Sequence, residues 1–152
     1  KYGFVDKTGK EVTSVIYDYC GDFEDGLCRV ESDGKFGFVD KTGKEVIPLI
    51  YDYCDGFEDG LCRVKLNKKF GFIDKTGKTV VPLIYDYCDD FEDGLSCVDL
   101  NGKSGFIDKT GKVVIPVIYD YCSSFEAGLV HVSLNGKDYY MDKTGKIIKG
   151  AF

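Results

Sequence analysis

Seven cysteines and a single histidine are the side chains of this 152-residue chain best suited to nucleophilic, redox or metal chemistry. Cys97 and His131 would together make a Cys–His dyad, in which the imidazole takes the thiol proton. Both belong to a column with Arg29 and Arg63 that strand alternation predicts to face solvent. In a continuous sheet with three strands per repeat, the two positions lie about 14 Å apart, which is too far for a hydrogen bond. The sequence therefore predicts a chain that is not an enzyme, with no catalytic residues and no cofactor.

The cysteines themselves allow three interpretations. Cys54 and Cys62 flank one loop and suggest a disulfide across a hairpin, but the position of Cys62 becomes Ser96 and Val130 further along the chain. Bridges between repeats meet the same spacing of about 14 Å, whereas a disulfide needs Cα atoms within about 7 Å. The Cys-x₂₋₄-Cys pairs of a zinc site do not occur in the sequence. We favour small, buried, reduced thiols over disulfides or metal ligands, and the odd number of cysteines favours a reducing environment such as the cytoplasm.

Two further sets of residues are candidates for a binding site. An acidic loop offers oxygen ligands for calcium, although its spacing does not follow the EF-hand pattern. Its carboxylates are Asp86, Asp89, Asp90, Glu92 and Asp93. A column of tyrosines offers a face on which a sugar or a peptide could stack. Its members are Tyr19, Tyr53, Tyr87 and Tyr121. A solvated turn and ordinary packing are the simpler interpretations of the two sets.

Both sets recur because the chain is one 34-residue unit copied four times and begun a fifth. Asp-Lys-Thr-Gly-Lys occurs at 6–10, 40–44, 74–78, 108–112 and 142–146, and Tyr-Asp-Tyr-Cys at 17–20, 51–54, 85–88 and 119–122. A fixed period of this size is typical of repeat proteins, in which each unit packs mainly on its neighbours. We divide the chain into a single array of repeats at 1–34, 35–68, 69–102 and 103–136, with a partial repeat at 137–152.

The second repeat shows which elements the unit contains. Val, Ile, Phe and Tyr are frequent, Ala is absent and Pro48 interrupts the middle, which favours strands over the helices of tetratricopeptide repeats. We predict strands at 36–40, 45–51 and 61–66, with an Asp-Lys-Thr-Gly turn after the first and an acidic loop at 52–60. The fold class is therefore all-β, with about three antiparallel strands per repeat in an elongated, twisted, superhelical or solenoid-like array. A small five-bladed, propeller-like ring is the alternative.

Comparison of the copies predicts the core. A valine of the third strand is the same in every full copy, as is the first tyrosine of each Tyr-Asp-Tyr-Cys motif. These columns are Val30, Val64, Val98 and Val132, and Tyr17, Tyr51, Tyr85 and Tyr119. A column of phenylalanines, which begins at Phe23 and Phe57, predicts an aromatic ladder between stacked repeats.

The same motifs carry a family resemblance. Residues 35–44, Lys-Phe-Gly-Phe-Val-Asp-Lys-Thr-Gly-Lys, resemble the bacterial WG-repeat (KWG) family, and Ile47-Pro48, Tyr51-Asp52, Phe57, Gly60-Leu61 and Val64 continue the likeness. It recurs in each copy and covers essentially the whole chain. The family's tryptophan is replaced by Tyr2, Phe36, Phe70 and Ser104, and the chain contains no Trp. The resemblance implies a β-rich repeat module of a larger bacterial protein, with an interaction or scaffold role and an unidentified partner.

Charge and composition narrow the partners. The net charge of −6 argues against a nucleic-acid backbone, and no apolar run approaches the roughly 20 residues of a membrane span. We therefore expect a non-catalytic module for protein–protein interaction, with self-association through exposed edge strands as a further possibility. The acidic loops and the lysine-rich Asp-Lys-Thr-Gly-Lys turns would steer such a partner if they emerge on opposite edges. A module that binds calcium or carbohydrate is the alternative function.

Overall fold

The chain folds entirely into β-structure over the residues that the computed structural model describes. These are residues 1–150, without the side chains of Ser14 and Val15. The end of the predicted partial repeat, Ala151 and Phe152, lies outside them. The described residues form eighteen strands and no helix, so none of them belongs to a helix long and apolar enough to cross a bilayer. The predicted all-β array of tandem antiparallel repeats is confirmed.

Two compact units divide the chain, residues 1–79 and 80–152. Unit 1 contains β1 (Tyr2–Val5), β2 (Glu11–Tyr17), β3 (Tyr19–Glu24), β4 (Leu27–Ser32), β5 (Lys35–Asp40), β6 (Glu45–Tyr51), β7 (Tyr53–Cys54), β8 (Leu61–Leu66) and β9 (Lys69–Asp74). The boundary falls after the first residue of β10 (Thr79–Tyr85). Unit 2 continues with β11 (Tyr87–Cys88), β12 (Leu95–Leu100), β13 (Lys103–Asp108), β14 (Val113–Tyr119), β15 (Tyr121–Cys122), β16 (Leu129–Leu134), β17 (Lys137–Asp142) and β18 (Ile147–Gly150).

Each complete sheet is an antiparallel meander of four strands. Sheet 1 pairs β1 with β2, sheet 2 has the order β3-β4-β5-β6, and sheet 3 includes β7, β8 and β9. Sheet 4 has the order β11-β12-β13-β14, and sheet 5 the order β15-β16-β17-β18. The assumption of one continuous sheet is therefore wrong. The chain turns out of sheet 2 at the Tyr51-Asp52-Tyr53 corner and begins the next sheet two residues later.

The second and third predicted strands have the observed bounds, and the first begins one residue earlier, at Lys35. The predicted acidic loop contains a further strand of two residues, Tyr53–Cys54, and ends in a tight turn at Asp59-Gly60, with φ values of 50° and 81°. Two consecutive residues of positive φ are typical of a type I′ hairpin turn. The dipeptide Asp-Gly was therefore a signal for this extra hairpin.

Strand register places two kinds of side chain on opposite faces. In sheet 2, Arg29 lies opposite Phe38 on one face, while Val30 lies opposite Gly37 on the other. Gly37 is required there, because a Cβ atom would lie 2.5 Å from the carbonyl oxygen of Ile47. The predicted valine and tyrosine columns are confirmed as core, with exposures of 0% for the valines of unit 1 and 6% for Tyr51.

The phenylalanines pair differently from the predicted ladder. Phe38 of β5 meets Phe57, which follows β7, with ring centroids 4.9 Å apart. In unit 2, Phe106 of β13 meets Phe125 in the same edge-to-face arrangement at 5.0 Å. Each contact joins a strand of one sheet to the loop of the next. Neighbouring sheets within a unit are therefore held together by phenylalanines from two different positions of the repeat.

Candidate functional site

The Asp-Lys-Thr-Gly-Lys motif is a structural turn. The Asp40 carboxylate accepts hydrogen bonds from the Thr42 amide (2.8 Å), the Thr42 hydroxyl (2.6 Å) and the Lys44 amide (3.1 Å). These bonds, that of the Thr42 hydroxyl first, lower the pKa of Asp40. Gly43 has the predicted left-handed conformation, with φ of 84°. Because the carboxylate accepts hydrogen bonds within its own turn, the structure of the turn accounts for the recurrence of the motif without a bound ligand.

The aspartate of Tyr-Asp-Tyr-Cys fixes the corner between sheets. One oxygen of Asp52 accepts a hydrogen bond from the Asn67 amide at 2.9 Å, and the other pairs with the Lys35 ammonium. In the calcium-candidate loop, Asp86 accepts the equivalent bond from the Asn101 amide at 2.8 Å. Asp86 is thus held at the corner by the adjacent hairpin turn.

The other four calcium candidates divide into one carboxylate in an ion pair and three that line a cavity. Asp93 forms an ion pair with Lys143 at 3.1 Å, whereas Asp89, Asp90 and Glu92 line a cavity. Among the described residues, no three His, Cys, Asp or Glu side chains are grouped as metal ligands would be.

The acidic and basic loops do not lie on opposite edges. Lys75, in an Asp-Lys-Thr-Gly-Lys turn, pairs with Asp25 of an acidic turn at 2.9 Å, and Lys143 with Asp93 repeats this contact in unit 2. The hypothesis of separate acidic and basic rims is therefore wrong. The stacking of sheets brings the turn of one repeat to the loop of an earlier one.

The first tyrosine of each Tyr-Asp-Tyr-Cys motif is buried, whereas the second tyrosines, proposed as a ligand face, are exposed. Their exposures are 41% for Tyr19, 39% for Tyr53, 42% for Tyr87 and 53% for Tyr121. Each of three has a polar neighbour. Tyr19 lies 5.6 Å from the Arg29 guanidinium, and Tyr121 lies 5.8 Å from the His131 ring. The Tyr53 hydroxyl donates to Asp55, which raises the pKa of Tyr53.

The column of Arg29, Arg63, Cys97 and His131 is half-buried, so the prediction that it faces solvent is wrong. Arg29 of sheet 2 reaches the next sheet of unit 1, where it donates a hydrogen bond to the carbonyl of Cys54 at 2.7 Å. Arg63 forms an ion pair with Asp55 at 2.7 Å. His131 Nε2 lies 2.9 Å from Asp138 Oδ1, and its ring also lies 5.4 Å from that of Tyr140.

The column of Cys28, Cys62, Ser96 and Val130 is completely buried, as predicted for small residues. Cys62 donates from its thiol to the carbonyl of Asp55 at 3.1 Å, and the Ser96 hydroxyl donates to the carbonyl of Asp89 at 2.8 Å. Cysteine and serine interchange here because each supplies one donor to the same loop carbonyl.

Where two sheets of one unit meet, a cleft opens beside the phenylalanine pair. The first cleft, in unit 1, has a volume of about 240 Å³ and is lined by Tyr19, Arg29, Phe38 and Phe57, among others. Asp22 and Glu24 are its acidic residues, and Arg29 crosses it to reach the Cys54 carbonyl.

The second cleft, in unit 2, occupies the equivalent place and has a volume of about 420 Å³. Cys97 stands where the first cleft has Arg29, and Cys122 enters from the next sheet. Asp89, Asp90 and Glu92 line it, and its described lining contains no basic side chain. Replacement of a long cation by a short thiol thus leaves a larger, acidic cleft with two sulfur atoms. The sequence showed the replacement but not that the column borders a cleft.

Comparison with known proteins agrees with the internal repeats. The family described as WG containing repeat matches residues 2–36, 36–70, 70–103 and 105–137. No curated protein matches the chain. Among solved structures, the extracellular domain of a hybrid two-component system protein from B. thetaiotaomicron is similar over 89% of this chain and 22% of its own, at 9% identity and a TM-score of 0.43. Kluyveromyces lactis Hsv2 is similar over 93% of this chain and 54% of its own, at 10% identity and a TM-score of 0.47.

Proposed function

Because the chain belongs to the family of WG containing repeats, we propose that it is a non-catalytic module that binds a protein partner through apolar side chains exposed at the same place on successive repeats. The observation that carries this proposal is a column of isoleucines, each the sixth residue of a seven-residue strand. Ile16 and Ile50 in unit 1 are 53% and 45% exposed, and Ile84 and Ile118 in unit 2 are 48% and 47% exposed.

A single exposed apolar residue is ordinary in a soluble protein. Recurrence of the same exposed residue is different, because the neighbouring position, Tyr51 after Ile50, is buried in the same strands. A repeat protein that presents one anchor per repeat can contact an extended partner at several points. The ion pairs between acidic and lysine-rich turns bring opposite charges together. The exposed isoleucines are therefore a stronger basis for recognition than a separation of charge.

The test uses the chain as bait in bacterial lysate, with and without Ile50→Ser and Ile118→Ser. We expect at least one protein to be enriched by the wild type and lost with the double variant. A matched control, Lys41→Ser with Lys109→Ser, changes turn residues outside the isoleucine column and should keep that protein. If no protein depends on the isoleucines, or if the lysine variant loses it equally, the proposed surface is wrong.

The tyrosine column supports a second function, the binding of carbohydrate, because exposed rings next to a cation or an imidazole are suited to stacking. Thermal unfolding with EDTA, millimolar calcium and a panel of oligosaccharides distinguishes the two. A ligand at about 100 times its Kd should add about 2.7 kcal/mol of stability. Loss of that shift in Tyr53→Ala and Tyr87→Ala variants would assign it to the tyrosines. A flat panel would favour the protein partner.

Self-association through sheet edges stays a prediction. The edges of sheet 2 are β3 and β6, and β6 carries the exposed Pro48, which cannot donate to an added strand. Ultracentrifugation over a range of concentrations tests this prediction, and a concentration-dependent mass would support it.

A further inference from the structure

The second cleft brings two cysteines from successive sheets of unit 2 together. Cys97 lies on β12 and Cys122 on β15, and both line the cleft of about 420 Å³. Both pack against the same buried cluster, which includes Leu95 and Phe106. Cys97 is paired with Phe106 of β13, and the Phe106 ring contacts that of Phe125, three residues after Cys122. Each is half-buried, so solvent reaches the site.

A second thiol pair in the same chain lacks that access. Cys54 of sheet 3 pairs with Val64, two residues from Cys62 on the same strand, and both cysteines are completely buried. A reagent in solution therefore reaches this pair only when the structure opens. The two pairs form an internal comparison in which proximity is shared and access differs.

From this geometry, we propose that Cys97 and Cys122 form a reversible disulfide that cross-links sheets 4 and 5 through the second cleft. The oxidant is a small disulfide such as oxidised glutathione. One thiolate attacks it, forms a mixed disulfide and releases one reduced glutathione. The other cysteine, as thiolate, then displaces the second glutathione and closes the bond. The protein loses two protons and two electrons, and the oxidant gains both as two molecules of reduced glutathione.

The surroundings set the conditions of the reaction. The hydrogen bond with Cys122, followed by burial, raises the pKa of the Cys97 thiol, and the charges of Asp99 and Asp89 act in the same direction. Since the thiolate is the attacking species, exchange will be slow at neutral pH and is best followed near pH 8.5. At neutral pH the Cys97 thiol therefore stays protonated and reacts slowly with disulfides.

The test treats the full, reduced chain with oxidised glutathione near pH 8.5, blocks remaining thiols with N-ethylmaleimide and maps tryptic peptides without reduction. Linked peptides 79–103 and 113–137 report the proposed bond, whereas a Cys54–Cys62 bond stays inside peptide 45–63. We expect the 97–122 bond to form at least about tenfold faster than the 54–62 bond in the folded chain. In urea this preference should disappear.

Two variants complete the test. Cys97→Ser should abolish the linked peptides, and their persistence would show that Cys88, in the same peptide, is the partner. Cys97→Arg places in the second cleft the arginine of the first and should also slow the labelling of Cys122 by N-ethylmaleimide. Three outcomes would overturn the proposal. The linked peptides could persist in Cys97→Ser, or a mixed glutathione disulfide could accumulate without linkage. The third is a preference for the 97–122 bond over the 54–62 bond that is equal in folded and unfolded chains.

Discussion

The first and second clefts are built from equivalent strands and loops, but Gly21, Arg29 and Gly56 of the first are replaced by Asp89, Cys97 and Ser124 in the second. In unit 1, Arg29 spans the cleft and its guanidinium binds the carbonyl of Cys54 at 2.7 Å. In unit 2, Cys97 occupies that position, and the cleft grows from about 240 to about 420 Å³. The phenylalanine contact beside it is unchanged, at 4.9 and 5.0 Å.

This comparison distinguishes the phenylalanine pair, which joins the sheets, from the residue at the position of Arg29 and Cys97, which borders the space between them. The phenylalanine pair is kept in both units and supplies an apolar contact between sheets. The position of Arg29 and Cys97 borders the cleft next to this pair, and the residue there changes in size and charge while the phenylalanine contact stays the same. New chemistry in a repeat protein is therefore most readily placed at such a position.

The largest expected effect tests the shared frame. Phe38→Ala and Phe106→Ala each remove a ring that is 3% and 4% exposed, respectively. Each substitution should lower the free energy of unfolding by about 3–5 kcal/mol, measured by urea unfolding followed by circular dichroism. Equal losses would support a common frame in both units. A loss below 1 kcal/mol in one unit alone would show that its sheets are held by something else.

The next effect tests the part that differs. Arg29→Met keeps the length of the side chain but removes the donor to the Cys54 carbonyl, so it should cost about 1.5–3 kcal/mol in the same urea assay. Cys97→Ala serves as the matched substitution in unit 2, where no guanidinium is lost, and should cost about 1 kcal/mol. A larger cost at Cys97 than at Arg29 would contradict the structural role assigned to the arginine.

A smaller effect concerns the buried donor common to both units. Ser96→Ala leaves the carbonyl of Asp89 without its 2.8 Å hydrogen bond and should cost about 1 kcal/mol. Cys62→Ser keeps a donor to the carbonyl of Asp55 and should change stability by less than this. If Cys62→Ser is the more damaging change, the volume of sulfur matters at this position more than its hydrogen bond.

The smallest effect is the pH dependence of the exposed turns. Hydrogen bonds from Thr42 and Thr110 lower the pKa of Asp40 and Asp108 from the ordinary value of 3.8. A carboxyl whose pKa is lower in the folded chain contributes stability that is present above about pH 4 and lost as the pH falls through the folded pKa. Asp40→Asn and Asp108→Asn should each reduce the loss of stability between pH 6 and pH 3. Urea midpoints at the two pH values give the measurement, and unequal results would show that the turns differ between units.

Much of the fold followed from the sequence because strand periodicity and turn chemistry are local. The bounds of β6 and β8, the left-handed Gly43 and the burial of the valine column all depend on residues close together in the chain. The two-residue strand Tyr53–Cys54 was missed because it is too short to show an alternating pattern. The candidate ligand tyrosines were distinguished from the buried ones by their place in the motif, and the structure exposes them as a separate column.

The sequence by itself determined the 34-residue period, the all-β class, the hairpin turns and the family, since each is written in residues within one repeat. Only the tertiary structure decided how one repeat meets the next. An extrapolated continuous sheet put Cys97 about 14 Å from equivalent positions, which made bridges between repeats doubtful. Because separate sheets pack against each other within a unit, residues on non-equivalent strands meet instead, and Cys97 and Cys122 come to line the same cleft. Pairing along a strand is fixed by local hydrogen bonds, but stacking depends on the fit of whole faces, which no single repeat contains.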